Sequence, residues 1–223
     1  MSVSQPARDL ARPVVVETTR FGPPPAGSQS NDIAHVVLDQ AQIAARAREL
    51  GAAITRDYWQ AAQVGPLLAI VTLRGAITFA ADLVRAVDLP IELDFISASS
   101  YAGTTTTGSV RILKDLETSL AGRHALIIED IIDTGLTLSQ LISELLARRP
   151  ASLRICALLD KDKPCPVRDE PGRLAYVGFS IPDEFVVGYG LDYAQIYRNL
   201  PYIGVLKETV YTSPEPSQAR AVE

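Results

Sequence analysis

The run from Ala125 to Thr137, ALIIEDIIDTGLT, carries three carboxylates and two hydroxyls within thirteen residues. An apolar strand ends in adjacent Glu129 and Asp130, Asp133 follows, and Thr134-Gly135-Leu136-Thr137 opens a helix. Free backbone N–H groups and the positive end of the dipole at a helix N-terminus attract an anion such as phosphate. Gly135 lets the backbone come close to that anion, and the hydroxyls of Thr134 and Thr137 can donate further hydrogen bonds. The upstream carboxylates can accept from sugar hydroxyls, so the chemistry that fits is the holding of a phosphorylated sugar. A polar turn capped by Thr or Asp fits the same residues. The local pattern leaves both readings open.

Such a turn needs a sheet to position it. Ile43, Ala47, Leu50 and Ile54 fall at helical spacing and predict an amphipathic first helix. Leu67 to Val71 is a short continuous apolar run, the pattern of a strand buried on both faces of a parallel sheet. A turn at Leu73-Arg74-Gly75 leads into a helical stretch from Phe79 to Val87. Further apolar runs span Ile91 to Ile96, Ala125 to Ile128, Leu153 to Leu159 and Tyr202 to Leu206, and Gly135 to Arg149 shows a helical stripe. The series predicts an α/β fold: a doubly wound, mostly parallel twisted sheet with helices on both faces. Ligands of such sheets collect beyond the carboxyl ends of the strands.

Residues 1–30 hold five prolines with Gly and Ser, and the stretch from 209 to 223 is similar in kind, so both are expected to be flexible tails around a domain at 31–208. Val14-Val15-Val16 is the one part of the first tail able to lie against the surface. At 223 residues the chain suits one large core. A net charge of −5 with no basic cluster argues against nucleic-acid partners. No apolar stretch nears the ~20 residues of a membrane span. Cys156 and Cys165 lack metal-ligand spacing and read as free thiols of a cytoplasmic protein, with no secretory signal in view. His35 and His124 belong to no ligand pattern. Cys165 to Leu174 reads as a surface loop.

EDIIDTGLT resembles the phosphoribosyl pyrophosphate motif of the type I phosphoribosyltransferases. The segments LRGAITFAADLVRAV (73–87), SSYAGTTTTGSVRILKDL (99–116), LLDK (158–161) and VGFSIPDEFVVGYGLDYAQIYRNLPYIGVL (177–206) are similar to the bacterial hypoxanthine-guanine branch of that family. The resemblance implies a small hood, built from the two ends of the chain, over a base site. It also implies purine salvage: transfer of the 5-phosphoribosyl group from 5-phosphoribosyl 1-pyrophosphate to a 6-oxopurine, with Mg²⁺ as cofactor, in a homo-oligomer (dimer or tetramer).

Position by position, it implies that Glu129 and Asp130 face the ribose and that Asp133, Thr134, Gly135, Leu136 and Thr137 cradle the 5′-phosphate. Asp133 is the implied general base near N7 of the purine, a role worth ~10²–10⁴ in rate; the competing reading is a helix cap. The same resemblance implies that Lys161 donates to the exocyclic O6, that Phe185 stacks on the base, and that Val186 and Asp192 complete the purine site. It further implies that Arg74, Gly75 and Arg198 bind pyrophosphate, the first two in a loop that in the family includes a non-proline cis peptide. Glu129, Asp130 and Asp192 are the implied metal carboxylates, and Ser100-Tyr101 begins a lid that closes over the site.

Overall fold

The computed structural model describes residues 14–15, 29–100, 110–161, 163–169 and 172–212. Its first long helix, α1 (Gln40–Tyr58), starts at Asp39 in a reciprocal capping box: the Asp39 side chain accepts from Gln42 N–H, and the Gln42 side chain accepts from Asp39 N–H. The expected stripe of Ile43, Ala47, Leu50 and Ile54 is buried. Helix α2 (Ile77–Ala86) packs beside it through Phe79, Ala80 and Leu83. The two helices meet where Gly51 faces the Ala86 backbone, a gap that any side chain at 51 would close.

Seven strands form the main sheet: β1 (Val14–Val15), β3 (Leu67–Thr72), β4 (Ile91–Ser100), β5 (Val110–Lys114), β6 (His124–Ile132), β7 (Ser152–Lys161) and β8 (Leu174–Ile181). Their order is β1-β8-β7-β6-β3-β4-β5, with only β4 and β5 antiparallel. Helices α1 and α2 cover one face, and α3 (Leu136–Ala147) covers the other through Leu138, Leu141, Ile142 and Leu145. The expected doubly wound arrangement is therefore present. From β3 the chain builds outward to β4 on one side, then returns to lay β6 on the other side. The β3/β6 boundary is the point where strand order reverses, and a crevice opens there beyond the carboxyl ends.

A second sheet has three strands, with the last in sequence at its centre. It joins β2 (Ile33–Leu38), β9 (Val186–Val187) and β10 (Ile203–Leu206), all antiparallel, so segments from both ends of the domain make the hood. Two boundaries differ from expectation. Val14–Val15 runs parallel to β8 as an edge strand. At the other end, Glu208–Tyr211 forms a helical turn, α5, within the stretch read as a tail.

Candidate active site

Strand β6 continues past its apolar run, because Ile131 and Ile132 still pair with Leu159 and Asp160 of β7. Glu129 and Asp130 therefore lie within the strand and not at its end. Gly135 then takes φ +65°, a left-handed conformation, and α3 begins. No side chain caps α3, so the capping reading of Asp133 fails; its carboxylate turns instead to two lysines. A cavity of about 250 Å³ opens over this turn, lined by Thr72, Glu129, Asp133, Thr134, Gly135 and Thr137 among others. Leu136 also lines it and is largely exposed, so the polar walls are backbone groups, the threonine hydroxyls, and the carboxylates of Glu129 and Asp133.

Glu129 and Asp130 are half-buried neighbours. Burial, then the adjacent Asp130 charge, pushes the Glu129 carboxyl well above the ordinary range. Asp130 is raised too, by burial, although the charge of Arg198 works the other way. Gly75 is buried directly against the Asp130 carboxylate, and a methyl group there would overlap it. The Leu73–Arg74 peptide just before it is cis, as the resemblance implies.

Lys161 ends β7 with only 8% exposure, and Lys163 follows it closely. The Lys163 ammonium donates to Asp133 at 3.0 Å, and Lys161 lies 3.4 Å from the same carboxylate. Burial opposes ionisation of Asp133, but the two lysines outweigh it and hold the carboxyl below its usual range. Asp183, in the turn after β8, receives both lysines from the other side.

The two expected pyrophosphate cations share one partner. Arg74 and Arg198 each donate to the side-chain oxygen of Gln195, both at 3.1 Å. Arg198 also pairs with Asp192 at 2.7 Å and donates to the carbonyl of Gly190. Asp192 accepts in addition from the Gln195 N–H, which groups its carboxylate with these cations and not with Lys161. Gly190 packs on the Gly75 carbonyl and so ties this corner to Asp130. Among the described residues, no three His, Cys, Asp or Glu side chains converge as a metal cage.

Phe185 precedes β9 and remains 40% exposed, while Val186 is buried in the hood sheet. Tyr211 stacks on Phe185, and Tyr193 meets its edge. Ser100 is the last residue of β4, and Tyr101 lies outside the described residues.

Four participants escape the sequence reading: Lys163, Asp183, Gln195 and Tyr211. Lys163 carries a faint signal, a second lysine two places after Lys161. Gln195 carries none, since it acts from a loop where it adopts φ +67°. The segment after Lys163 corrects an expectation. Cys165 and Val167 are buried against Gly135, and Arg168 of the short helix α4 (Pro166–Asp169) pairs with Asp160. That part of the expected surface loop is the floor of the phosphate turn.

Comparison with known proteins agrees with this geometry. The family model for the phosphoribosyl transferase domain matches residues 36–194. The chain is 48% identical over 184 residues to the hypoxanthine-guanine phosphoribosyltransferase of Bacillus subtilis, covering 82% of this chain and 98% of that one. It is 46% identical to the hypoxanthine-guanine-xanthine phosphoribosyltransferase of Tritrichomonas foetus, over 82% of this chain and 96% of the other. A crystal structure of a hypoxanthine phosphoribosyltransferase from Staphylococcus aureus superposes with a TM-score of 0.76 at 44% identity, covering 84% of this chain and 98% of its own. The chain belongs to the phosphoribosyl transferase domain family, in its hypoxanthine-guanine branch.

Proposed function

We propose that the chain moves the 5-phosphoribosyl group of 5-phosphoribosyl 1-pyrophosphate to N9 of hypoxanthine or guanine, giving IMP or GMP and pyrophosphate in purine salvage. The observation that carries this reading is the meeting of Asp133, at the rim of the phosphate turn, with the ammonium of Lys161 at 3.4 Å. One group can take a proton and the other can donate a hydrogen bond, side by side, at the mouth of an anion cradle.

In this reading the 5′-phosphate sits on the backbone N–H groups and hydroxyls of Thr134 to Thr137, and Glu129 and Asp130 accept from the ribose hydroxyls. Arg74 and Arg198 draw charge from the leaving pyrophosphate. As N9 attacks C1′ and the bond to pyrophosphate breaks, the proton on N7 passes to Asp133. Lys161 donates to O6. An ammonium cannot accept a hydrogen bond, so the 6-amino group of adenine leaves it unpaired, and a buried lysine makes that omission costly. Phe185 offers its exposed ring to the base.

The donor set suits Mg²⁺. Glu129 and Asp130 offer adjacent oxygen donors and Asp192, paired with Arg198, would supply another, so an ion held by them would keep sites for substrate and water oxygens. When bound, Mg²⁺ would neutralise charge on the leaving pyrophosphate. The resemblance extends the same reading to a homo-oligomer, and the free thiols of Cys156 and Cys165 suit a reducing cytoplasm.

The test is an assay of each nucleobase with 5-phosphoribosyl 1-pyrophosphate and Mg²⁺, following nucleotide formation. Hypoxanthine and guanine are expected to react and adenine to react poorly, with xanthine in the same series ranking the 6-oxopurines. Absence of product with every 6-oxopurine overturns the reading.

A further inference from the structure

Three adjacent parallel strands deliver two lysines and two aspartates to one place. Asp133 follows β6, Lys161 and Lys163 come at the end of β7, and Asp183 follows β8. The contacts are not equivalent. Lys163 Nζ lies 3.0 Å from Asp133 Oδ1 and 2.6 Å from Asp183 Oδ1. Lys161 Nζ lies 3.1 Å from Asp183 Oδ1 but 3.4 Å from Asp133, on the other carboxylate oxygen, Oδ2. The weakest contact of the four is therefore the one between the proposed base and the proposed O6 donor.

This division of oxygens matters if the function proposed above holds, on which the inference rests. Lys161 must then turn its ammonium toward the purine carbonyl, and Asp133 must expose one oxygen to N7. With a single lysine, that movement would leave Asp133 without a partner to hold its orientation. Here the Lys163 contact uses Oδ1 and does not depend on Lys161. We propose that Lys163, seated on Asp183, is a positioning residue that clamps Oδ1 of Asp133, so that Lys161 can leave Oδ2 for the base.

The charged surroundings are compatible with this. Asp160 of β7 is taken by Arg168 of α4, which also donates to the carbonyl of Lys161 and so fixes the backbone from which both lysines extend. Glu129 and Asp130, on the strand that leads to Asp133, are both raised by burial, which reduces the negative charge they place near it. Lys163 is itself raised above the usual lysine range, first by its hydrogen bond to Asp183 and then by that to Asp133, so it stays charged across the working range.

The experiment compares wild type with Lys163→Gln and Lys163→Arg, measuring KM for hypoxanthine, KM for 5-phosphoribosyl 1-pyrophosphate, kcat, and the pH profile of kcat/KM for the base. In Lys163→Gln, Lys161 becomes the remaining lysine for Asp133, so KM for hypoxanthine is expected to rise about fivefold, the scale of a partly exposed ion pair. The acid limb of the profile is expected to move to higher pH, because Asp133 has lost a cation. KM for the sugar substrate should hold, and Lys163→Arg should restore both quantities. A glutamine variant with an unmoved acid limb and unmoved KM for hypoxanthine, beside an active wild type, overturns the clamp alone. So does a variant that only melts earlier. A wild type inactive with every 6-oxopurine overturns the underlying function and the clamp with it.

Discussion

The rings of Phe185 and Tyr211 lie one on the other, with centroids 5.2 Å apart and planes inclined by 27°. Phe185 comes from the approach to β9 and Tyr211 from α5, so the helical turn after β10 backs the aromatic proposed to hold the purine. Such a pair contributes about 0.5–1.5 kcal/mol beyond burial. Tyr211→Leu is therefore expected to raise KM for hypoxanthine by about two- to tenfold, while KM for the sugar substrate holds. Tyr211→Phe keeps the stack and should behave as wild type. Steady-state kinetics with each substrate varied in turn checks this.

Gln195 gives its single side-chain oxygen to Arg74 and to Arg198. A neutral amide orients two guanidinium groups without cancelling their charge, as a carboxylate would. Gln195→Glu is thus expected to weaken binding of 5-phosphoribosyl 1-pyrophosphate more than Gln195→Ala does. The difference should shrink at high salt, since Arg74 and Gln195 are exposed and Arg198 is only half-buried. Titration calorimetry at two ionic strengths reads both effects.

Gly135 combines φ +65° with a position directly against the Cys165 sulfur. Gly135→Ala should lower stability by about 1–2 kcal/mol from backbone conformation alone, and more from overlap with Cys165. It should also weaken binding of the sugar phosphate. Adding Cys165→Ala should recover the overlap part of the loss and leave the backbone part, which denaturant unfolding of the single and double variants would separate.

Asp94 on β4 is buried and accepts from the N–H groups of Phe95, Glu117 and Thr118, at 2.7, 2.8 and 2.8 Å. Burial opposes its ionisation, but these three donors prevail and lower its pKa. A carboxyl lowered on folding stabilises the protein fully above its unfolded pKa of ~3.9, and that contribution is lost as pH falls through the folded value. Asp94→Asn should therefore cost about 2 kcal/mol at neutral pH and flatten the loss of stability below about pH 4. Denaturant midpoints measured from pH 7 down to pH 3 give both quantities.

The sequence shows best those parts whose apolar runs serve only packing. Leu67 to Val71, the α1 stripe and the α3 stripe are such runs. Strand β6 is legible only to Ile128, since Glu129 and Asp130 interrupt the apolar pattern at the point where polar groups are wanted. Strand β8 is broken in the same way by Tyr176, Gly178 and Ser180, and Gly178 is there because a side chain would strike the Leu158 carbonyl. The phosphate turn can be read because its parts are consecutive. The lysine–aspartate cluster cannot, because residues 133, 161, 163 and 183 meet only through the order β6-β7-β8, which no local pattern encodes.

In the proposed reaction Asp133 accepts the purine proton beside a phosphate held on the turn that follows it. The most direct test of that step is single-turnover nucleotide formation by Asp133→Asn, with IMP binding measured on the same preparation. The chemical step is expected to slow by about 10²–10⁴ while IMP still binds. A chemical step at the wild-type rate in that variant would contradict it.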